Sequence, residues 1–408
     1  MTRLGDVCEK IGSGATPRGG KEAYKDAGIP IIRSQNIHDW VFQPDGLAFL
    51  DDEQAESLSN VEVRSNDVLL NITGDSVARA CIVPSERIPA RVNQHVAIVR
   101  AGKEINPTYL LASLQSKKTT LLSLASSGAT RNALTKRMIE NLDIDLPSRE
   151  IQDSIAQVLD SIQYKITLNN RLNDYLLDLL KSSAKNLYLK HEKNIQEKLP
   201  SGWRWVSIGE IADMVCRGIA PKYSLESDEI ILGQTCIRNN LILTENGRSH
   251  APKKLTDKWL RKYDLLINST GVGSLGRTAQ VWFEPSKLVV DSHVTIVRAT
   301  DKKNALYLGS WAFEHERYIE SLHTGSTGQT ELPRDRVKAI RVVLPDAGTL
   351  DEFNAIAEPS VKMIVANQEE NKRLIEIRDT LLPKLMSGEI DVSKVDLMQL
   401  TNNHLADC

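Results

Sequence analysis

Polar loops that combine Arg, Asn, Gln, Ser and Thr with glycine recur along this 408-residue sequence. Asn and Gln can form paired hydrogen bonds with an adenine edge, Arg can do so with guanine or a phosphate, and glycine permits close approach of another backbone. This chemistry suits base recognition in DNA. In the first half of the chain, the candidate DNA-binding residues are Thr16, Arg18, Arg33, Gln35, Asn36, Asn71, Thr73, Arg79, Gln94, His95 and Arg131. In the second half, they are Arg217, Lys222, Gln234, Asn268, Thr270, Arg277, His293, Ser326 and Gln329.

Any one of these loops taken alone is most simply a polar surface loop. The signal is stronger because loops of the same kind occupy matching places in the two halves. His95 and His293, for example, each stand just before a strand-like run, "VAIV" and "VTIV". We interpret both as hydrogen-bonded histidines at strand starts, with a DNA contact as the alternative, since no Cys or Ser nucleophile accompanies both.

Motifs of common catalytic sites are missing. The sequence has no GxxxxGK phosphate loop, no HExxH, no Asp/Asn-Pro-Pro-aromatic tetrad of amino-methyltransferases and no nuclease carboxylate cluster. Residues 271–276, "GVGSLG", fit the dinucleotide pattern GxGxxG, but strand-like "RTAQVWF" follows where that pattern needs a helix. We therefore interpret this segment as a glycine-rich turn between strands and expect neither a metal site nor a catalytic residue.

Composition favours an ordinary globular protein of the cytoplasm. The chain is 41% hydrophobic and 25% charged, and no apolar run has the length of a membrane span. The five cysteines are scattered without a CxxC pair, which indicates a reducing compartment without disulfides or structural zinc. A net charge of −2 gives no global sign of nucleic-acid binding, so DNA contacts would come from local patches or be shared with partners.

An internal repeat organises the chain. "VNQHVAIVRA" (92–101) and "VDSHVTIVRA" (290–299) agree at seven of ten positions. Two further pairs of segments match in the same order, 4–17 with 208–221 and 64–75 with 261–272. A repeat of about 200 residues indicates a duplicated domain. Each half has short β-branched runs that outnumber its helical segments, which predicts two tandem α/β domains of the mixed α+β class.

A long amphipathic segment follows each half. Apolar residues recur at intervals of three and four from Arg149 to Leu189 and from Leu350 to Met386, which predicts two coiled-coil helices. Because the first helix leads into the second domain and the second returns, the pair is predicted to be antiparallel. The alternative is two unrelated surface helices. The predicted interface residues are Ile155, Leu159, Ile162, Asn169, Leu172, Leu176, Ile364, Asn371, Leu374 and Leu381. Asn on such a seam can fix register at a cost in stability.

These features together resemble the specificity (S) subunit of type I restriction–modification systems, over nearly the whole chain. The resemblance is carried by "DLPSREIQDSIAQVLDSIQYKITLNNRLN", its counterpart "VLPDAGTLDEFNAIAEPSVKMIVANQEENKRL" and the ending "LLPKLMSGEI". "IGSGATP", "NDVLLNITGDSVARACIV" and "VNQHVAIVR" are similar to the framework of the family's target recognition domains. The second half departs at "CRGIAP" and at Ser292, which stands where Gln94 does, as in two domains that read different sequences.

The resemblance implies two target recognition domains in a pseudo-twofold arrangement, each reading one half of a bipartite asymmetric DNA site. The predicted segments are domain 1 (1–147), first spacer helix and linker (148–199), domain 2 (200–346), second spacer helix (347–390) and C-terminal tail (391–408). The helices would set the unread spacer and dock two modification (methyltransferase) subunits, with two restriction (motor–nuclease) subunits in the full complex. This chain would bind no cofactor, and its partners would use S-adenosylmethionine, ATP and Mg²⁺.

Three alternatives remain open from the sequence. The chain could be a fused methyltransferase or nuclease whose motifs have drifted. It could be the recognition subunit of another DNA-modification or phage-defence system with the same architecture. It could also be a scaffold without a role on DNA.

Overall fold

The computed structural model of the chain describes residues 1–126, 132–193, 198–224, 226–251, 257–325 and 330–392. The chain divides into two compact units. Unit 1 comprises Met1–Thr167 and Asn371–Cys408, and unit 2 comprises Leu168–Glu370. Each unit therefore includes a segment of both long helices in addition to a β-rich half of the repeat.

Unit 1 contains short strands and mostly short helices. Its strands are β1 (Thr2–Arg3), β2 (Cys8–Ser13), β3 (Ile29–Ile32), β4 (Ala48–Leu50), β5 (Glu62–Val63), β6 (Val68–Asn71), β7 (Ala80–Ile82), β8 (Ala90–Val92), β9 (Val96–Ala101) and β10 (Asp143–Ile144). Its helices are α1 (Leu4–Val7), α2 (Asp52–Ser57), α3 (Pro107–Ser116), α4 (Lys118–Ser126), α5 (Lys136–Glu140) and the first part of α6 (Arg149–Lys193). Two four-stranded sheets run in the orders β2-β9-β6-β7 and β4-β3-β8-β5, and β1 pairs with β10.

Unit 2 repeats the first of these sheets. Its strands are β11 (Arg204–Ser207), β12 (Ala212–Arg217), β13 (Ile230–Leu232), β14 (Ile237–Arg238), β15 (Leu241–Ile242), β16 (Arg248–Ser249), β17 (Leu265–Asn268), β18 (Thr278–Gln280), β19 (Leu288–Val290), β20 (Val294–Ala299) and β21 (Arg341–Leu344). Its other helices are α7 (Lys302–Glu314), α8 (Glu316–Ser321), α9 (Arg334–Ala339) and the first part of α10 (Ala347–Met386). The order β12-β20-β17-β18 equals β2-β9-β6-β7, and β16-β13-β19 forms the second sheet. The predicted mixed α/β class is confirmed.

Local sequence explains where the helices of the first half begin and break. Asn106 caps α3, because its side-chain oxygen accepts hydrogen bonds from the backbone N–H groups of Thr108 and Tyr109, and proline occupies the first helical position. The helical segment that begins at Pro107 is interrupted at Lys117 and forms α3 and α4.

The long helices belong to the cores of the units. In unit 1, Ile155 and Leu159 of α6 and Leu382 of α10 lie in one apolar cluster with Leu4 and Tyr109. In unit 2, the corresponding apolar cluster contains residues of both helices and of the recognition half. Its helix members include Leu177, Leu180, Ala184, Tyr188, Leu350, Phe353, Ala357, Val361 and Ile364. The alternative of two unrelated surface helices is therefore wrong.

The helices pair antiparallel, as predicted. Within unit 2, Asn169 donates a hydrogen bond to a Glu370 carboxylate oxygen at 2.7 Å, and Asn367 donates one to the Asn173 side-chain oxygen at 2.8 Å. From the first bond to the second, the residue number rises by four on α6 and falls by three on α10, so the two helices run in opposite directions. The buried Asn173–Asn367 pair was not foreseen.

On the second part of α6, the buried face of the helix is shifted by one residue from the predicted coiled-coil interface. Ile155, Leu159, Asn169, Ile364 and Asn371 are buried, and Ile162, Leu176, Leu374 and Leu381 are half-buried. Leu172, however, is 37% exposed. The positions one residue later face the core there, namely Asn173, Leu177 and Leu180. A straight α-helix drifts about 20° per heptad against a strict seven-residue repeat, so a fixed heptad count loses the buried face along a 45-residue helix.

Candidate nucleic-acid interface

In unit 1 the predicted polar loops meet at one edge of the sheets. Strand register places Ser13 opposite Ala97, Asn71 opposite Val96 and Ile32 beside Val92. The segments that follow β2, β3 and β6 therefore lie next to the turn that precedes β9. The same register in unit 2 joins the segments after β12, β13 and β17 to the turn before β20. Each unit thus brings these segments, which carry many of its candidate residues, together at one edge, which we name the loop edge.

A threonine–histidine pair lies at the centre of each loop edge. The Thr73 hydroxyl is 2.7 Å from Nδ1 of His95, and the Thr270 hydroxyl is 2.8 Å from Nδ1 of His293. The histidine carbonyl accepts from the backbone at the residue before each threonine, Ile72 or Ser269. The prediction of hydrogen-bonded histidines at strand starts is confirmed. Since Nδ1 is held by the threonine, Nε2 is the ring atom available to a further partner.

Close backbone packing requires a glycine at the start of each loop edge. A Cβ on Gly14 would lie 2.0 Å from the Val92 carbonyl oxygen, and a Cβ on Gly218 would lie 2.0 Å from that of Val290. Beyond Gly14, Thr16 donates to the Gln94 side-chain oxygen at 2.5 Å. The turn before β9 is thereby attached to the loop after β2.

Three predicted asparagines are buried and do not belong to the DNA-facing set. Asn71 donates its amide to the Ser34 carbonyl at 2.9 Å, and Asn268 donates to that of Gln234 at 3.1 Å. Asn36 donates to the carbonyls of Gln43 and Asp45. An Asn side chain carries the same donor and acceptor as a peptide group, so these amides hold loops in place of backbone bonds. Sequence cannot separate this use from base recognition, and the prediction of a DNA contact is corrected for all three.

Arg217 is also engaged within the protein. Its guanidinium donates to the carbonyls of Ser292 at 3.2 Å and Leu332 at 2.9 Å and to the Glu331 carboxylate at 2.8 Å. Its side chain is only 17% exposed, and burial lowers its pKa. The geometry makes Arg217 a residue that holds neighbouring loop segments in place, and a DNA contact by its exposed part stays a prediction.

The other candidates lie at or near the surface. Arg18, Gln35, Gln94, Lys222 and His293 are exposed, and Thr16, Arg33, Thr73, Arg79, His95, Gln234, Thr270 and Arg277 are half-buried. Arg33 donates to the Gly46 carbonyl at 2.5 Å, as does Gln35 at 3.1 Å, while Gln234 donates to Thr270. Arg131, Ser326 and Gln329 lie outside the described residues. DNA contact by the accessible residues stays a prediction.

Two arginine–tyrosine pairs near the loop edges were missed. The guanidinium carbon of Arg33 lies 5.3 Å from the centre of the Tyr24 ring, and that of Arg248 lies 5.1 Å from the centre of the Tyr223 ring. Tyr223 and Arg248 are exposed, and a guanidinium stacked on an aromatic face is restricted in orientation. An Arg and a Tyr that are nine or 25 residues apart in the sequence give no local signal of such a contact.

The described residues hold no group of three or more His, Cys, Asp or Glu side chains placed to bind a metal ion. Burial raises the pKa of Cys8 to about 12 and also raises the pKa values of Cys81, Cys216 and Cys236. These thiols are therefore protonated at neutral pH, which disfavours nucleophilic chemistry. "GVGSLG" forms the turn between β17 and β18, as predicted. Within the described ranges, every helix is too short or too polar to cross a bilayer.

Comparisons with known proteins agree with this architecture. Residues 1–177 match the family model described as the type I restriction modification DNA specificity domain. The type I restriction enzyme MjaIX specificity subunit of Methanocaldococcus jannaschii is 22% identical, over 97% of this chain and 94% of the relative. The MjaVIII specificity subunit of the same organism is 24% identical, again over 97% and 94%. The crystal structure of the type I restriction-modification system S subunit from M. genitalium has a TM-score of 0.54 at 15% identity, covering 94% of this chain and 95% of that one. The chain is therefore similar over nearly its whole length to type I restriction enzyme specificity subunits, and its first 177 residues match that family's DNA specificity domain.

Proposed function

We propose that this chain is the DNA sequence-specificity subunit of a type I restriction–modification complex, in which each unit reads one half of a bipartite asymmetric site. The observation that carries the proposal is the loop edge, which occurs once in each unit on the same strand framework. Its accessible Arg, Gln, Thr and His side chains suit contacts with base edges and phosphates. The comparisons do not favour another kind of modification or defence system.

The chain itself performs no chemistry in this proposal. It binds no cofactor, and partner subunits use S-adenosylmethionine, ATP and Mg²⁺ in the cytoplasm. Two modification subunits bring the methyltransferase activity on adenine, and two restriction subunits bring the motor and nuclease. The protonated thiols support this division, because a protonated thiol is a poor nucleophile.

The long helices offer a surface for docking the modification subunits. In unit 2, one face of α6 carries Leu168, Leu172, Tyr175 and Leu179, all exposed and spaced by four, three and four residues. An apolar stripe of this spacing fits an amphipathic helix of a partner. The same helices fix the number of unread base pairs between the half-sites in this proposal.

Genome-wide mapping of methylated adenine tests the proposal. The chain is expressed with its modification subunit in a host that lacks other adenine methyltransferases, with a strain that lacks this chain as control. We expect a split motif with a constant unread spacer that disappears in the control. Absence of any new motif from a stable, assembled complex would contradict the proposal.

Single substitutions then assign the half-sites. Arg79→Ala should change base preference or affinity only in the first half-site, and Arg277→Ala only in the second. The two residues occupy matching places, since each backbone N–H donates to the carbonyl of a matching serine, Ser76 or Ser274, at 3.2 Å. Equal disturbance of both half-sites by either variant would refute the assignment of one half-site to each unit.

A further inference from the structure

The hairpin loop that leaves the central sheet at the loop edge has the same closure in both units. In unit 1 the loop between β6 and β7 is closed by Asn71 N–H donating to Arg79 O at 2.8 Å and Ala78 N–H donating to Asn71 O at 2.9 Å. In unit 2 the corresponding bonds are Asn268 N–H to Arg277 O and Gly276 N–H to Asn268 O, both 2.8 Å. The backbone at the base of the two loops is therefore equivalent.

The loops are also held firmly against their neighbours. The buried amides of Asn71 and Asn268 bind the loop after β3 or β13, and Thr73 and Thr270 bind the histidines. In unit 2, Gln234 adds a hydrogen bond of 3.0 Å to the Thr270 hydroxyl. A side chain at the tip of such a braced loop is presented in a restricted position.

The tips differ in a way that the protein's own contacts do not explain. Each tip residue follows a glycine with positive φ, Gly74 at 76° or Gly271 at 93°. In unit 1 the tip residue is Asp75, which is exposed and has no hydrogen bond or ion pair with the described residues. In unit 2 it is Val272, whose side chain is 86% exposed although it is apolar.

The tip in unit 2 is longer by one residue. Counting from the threonine, Gly271 and Val272 match Gly74 and Asp75; counting back from the arginine, Ser274 matches Ser76. The additional residue is Gly273, with φ of 76°, and a Cβ there would meet open space. Val272 therefore stands between two glycines and is largely exposed to solvent.

We propose that Asp75 and Val272 are specificity-determining residues that read different base chemistry with equivalent loops, an inference that rests on the proposed function. Asp75 accepts a hydrogen bond from the exocyclic amino group of cytosine or adenine in the first half-site. Val272 packs against the C5 methyl group of a thymine in the second half-site. Carboxylates and apolar side chains make these contacts in the major groove, where the four base pairs differ.

The selectivity of Asp75 also has a repulsive part. A carboxylate placed in a groove flanked by phosphates is unfavourable unless a donor compensates it, so a base that presents O4 or O6 at that place is rejected. Val272 selects by attraction alone, because burying its side chain against a methyl group removes apolar surface from water. We therefore expect stronger discrimination at the position read by Asp75 than at the position read by Val272.

Base analogues in a synthetic duplex test both contacts in the assembled complex of this chain with its modification subunits. Deoxyuridine, which lacks the C5 methyl group, replaces each thymine of the second half-site in turn. One replacement should weaken binding by the wild-type complex about threefold to tenfold, as loss of a buried methyl contact predicts. The same replacement should leave the Val272→Ala complex unaffected. If no thymine shows an effect that depends on Val272, the assignment of Val272 is wrong.

The contact of Asp75 is tested in the same way by removing amino groups from the first half-site. Purine replaces each adenine in one arm and 2-pyrimidinone replaces each cytosine in the other, so the arms identify which base donates. We expect one replacement to weaken wild-type binding roughly tenfold or more and to have no effect on the Asp75→Val complex. Equal losses in wild type and Asp75→Val at every position would overturn the assignment.

Methylation mapping separates failure of the inference from failure of the proposed function. Asp75→Val should relax one position of the first half-site, and Val272→Asp should change one position of the second. A wild-type motif that both variants reproduce unchanged refutes the inference and leaves the proposed function intact. A wild-type complex that yields no motif overturns both. Thermal unfolding of each variant shows whether it folds, and exposure of both tips predicts unchanged melting temperatures.

Discussion

The two recognition halves keep their buried polar bonds and differ in their exposed ones. Asp67 binds Arg100 through two hydrogen bonds of 2.7 and 2.8 Å, and Asp264 binds Arg298 through two of 2.8 and 2.7 Å. Tyr109 donates to the Asp145 carbonyl, and Tyr307 donates to that of Val343. The residue that accepts the tyrosine hydrogen bond is Asp in one half and Val in the other. The bond is kept in both halves because its acceptor is a backbone carbonyl.

Around this shared framework, matching positions at the loop edges differ in charge and size. Asn93 in the first half corresponds to Asp291 in the second, Gln94 corresponds to Ser292, and Thr16 corresponds to Ala220. Buried, paired polar groups therefore specify the fold. Loop-edge side chains can therefore diverge without loss of the fold. Four sets of variants test this conclusion.

The buried ion pairs should produce the largest effect. Asp67→Ala and Asp264→Ala each remove a buried carboxylate from a largely buried arginine, and Arg100 keeps only a 3.9 Å contact with the exposed Glu9. Each change should therefore lower the free energy of unfolding by about 3–5 kcal/mol. Urea unfolding measures the loss, and limited proteolysis identifies the unit that opens. Asp228→Ala removes an ion pair between exposed side chains and should change little. Losses that differed strongly between Asp67→Ala and Asp264→Ala would show that the frameworks are not equivalent.

The next largest effect concerns the helices. Leu180 in unit 2 and Leu382 in unit 1 occupy matching places in the repeat, and both are buried. Leu180→Ala and Leu382→Ala should each cost about 3 kcal/mol, because each creates a cavity in a core. Leu179 is 43% exposed, so Leu179→Ala should leave the melting temperature nearly unchanged. A larger loss from Leu179→Ala than from Leu180→Ala would contradict the corrected seam.

A somewhat smaller effect is expected from the loop-edge glycines. Gly14→Ala and Gly218→Ala place a Cβ against a carbonyl oxygen of the neighbouring strand, so strand and loop must separate at a cost of about 2 kcal/mol. Gly12→Ala is the matched control, because its Cβ would have no neighbour within 4 Å. Differential scanning calorimetry compares the three. Equal melting temperatures for Gly14→Ala and Gly12→Ala would refute the close packing described here.

The smallest effect should come from Asp291→Asn, which gives the second half the residue of the first. Burial raises the pKa of Asp291, so the folded protein holds this proton more tightly than the unfolded chain does. Wild-type stability therefore falls as pH rises through the interval between the unfolded and folded pKa values. The Asn variant should lack this fall, with the difference present above that interval and absent below it. The free energy of unfolding is measured across the acid pH range. The prediction is contradicted if this free energy changes in parallel with pH for wild type and variant.

Sequence alone could predict the elements whose signal is local. Periodicity predicted α6 and α10, and the repeated "HVAIV" and "HVTIV" predicted equivalent strands beside a histidine. The sequence could not predict that Asn36, Asn71 and Asn268 donate to backbone carbonyls. An asparagine that binds a carbonyl looks the same in sequence as one that binds a base. The phase of the seam near Leu172 was also out of reach, since a small angular drift accumulates over several turns. Val272 lay within a turn that was predicted, but only its exposure in the folded chain distinguishes it from a core valine.

The shared cores of the units have a consequence for biosynthesis. Leu382 and Leu385 lie in the same apolar cluster as Leu4, although they leave the ribosome more than 370 residues later. During synthesis, part of the apolar surface of the first half therefore stays exposed until α10 has been translated. Exposed apolar surface of this kind is what chaperones bind. A truncated message would yield a chain whose first unit lacks part of its core. Proteolysis can remove such a truncated chain before it competes with the full-length chain for partner subunits. Only a chain translated to the end of α10 completes the core of its first unit.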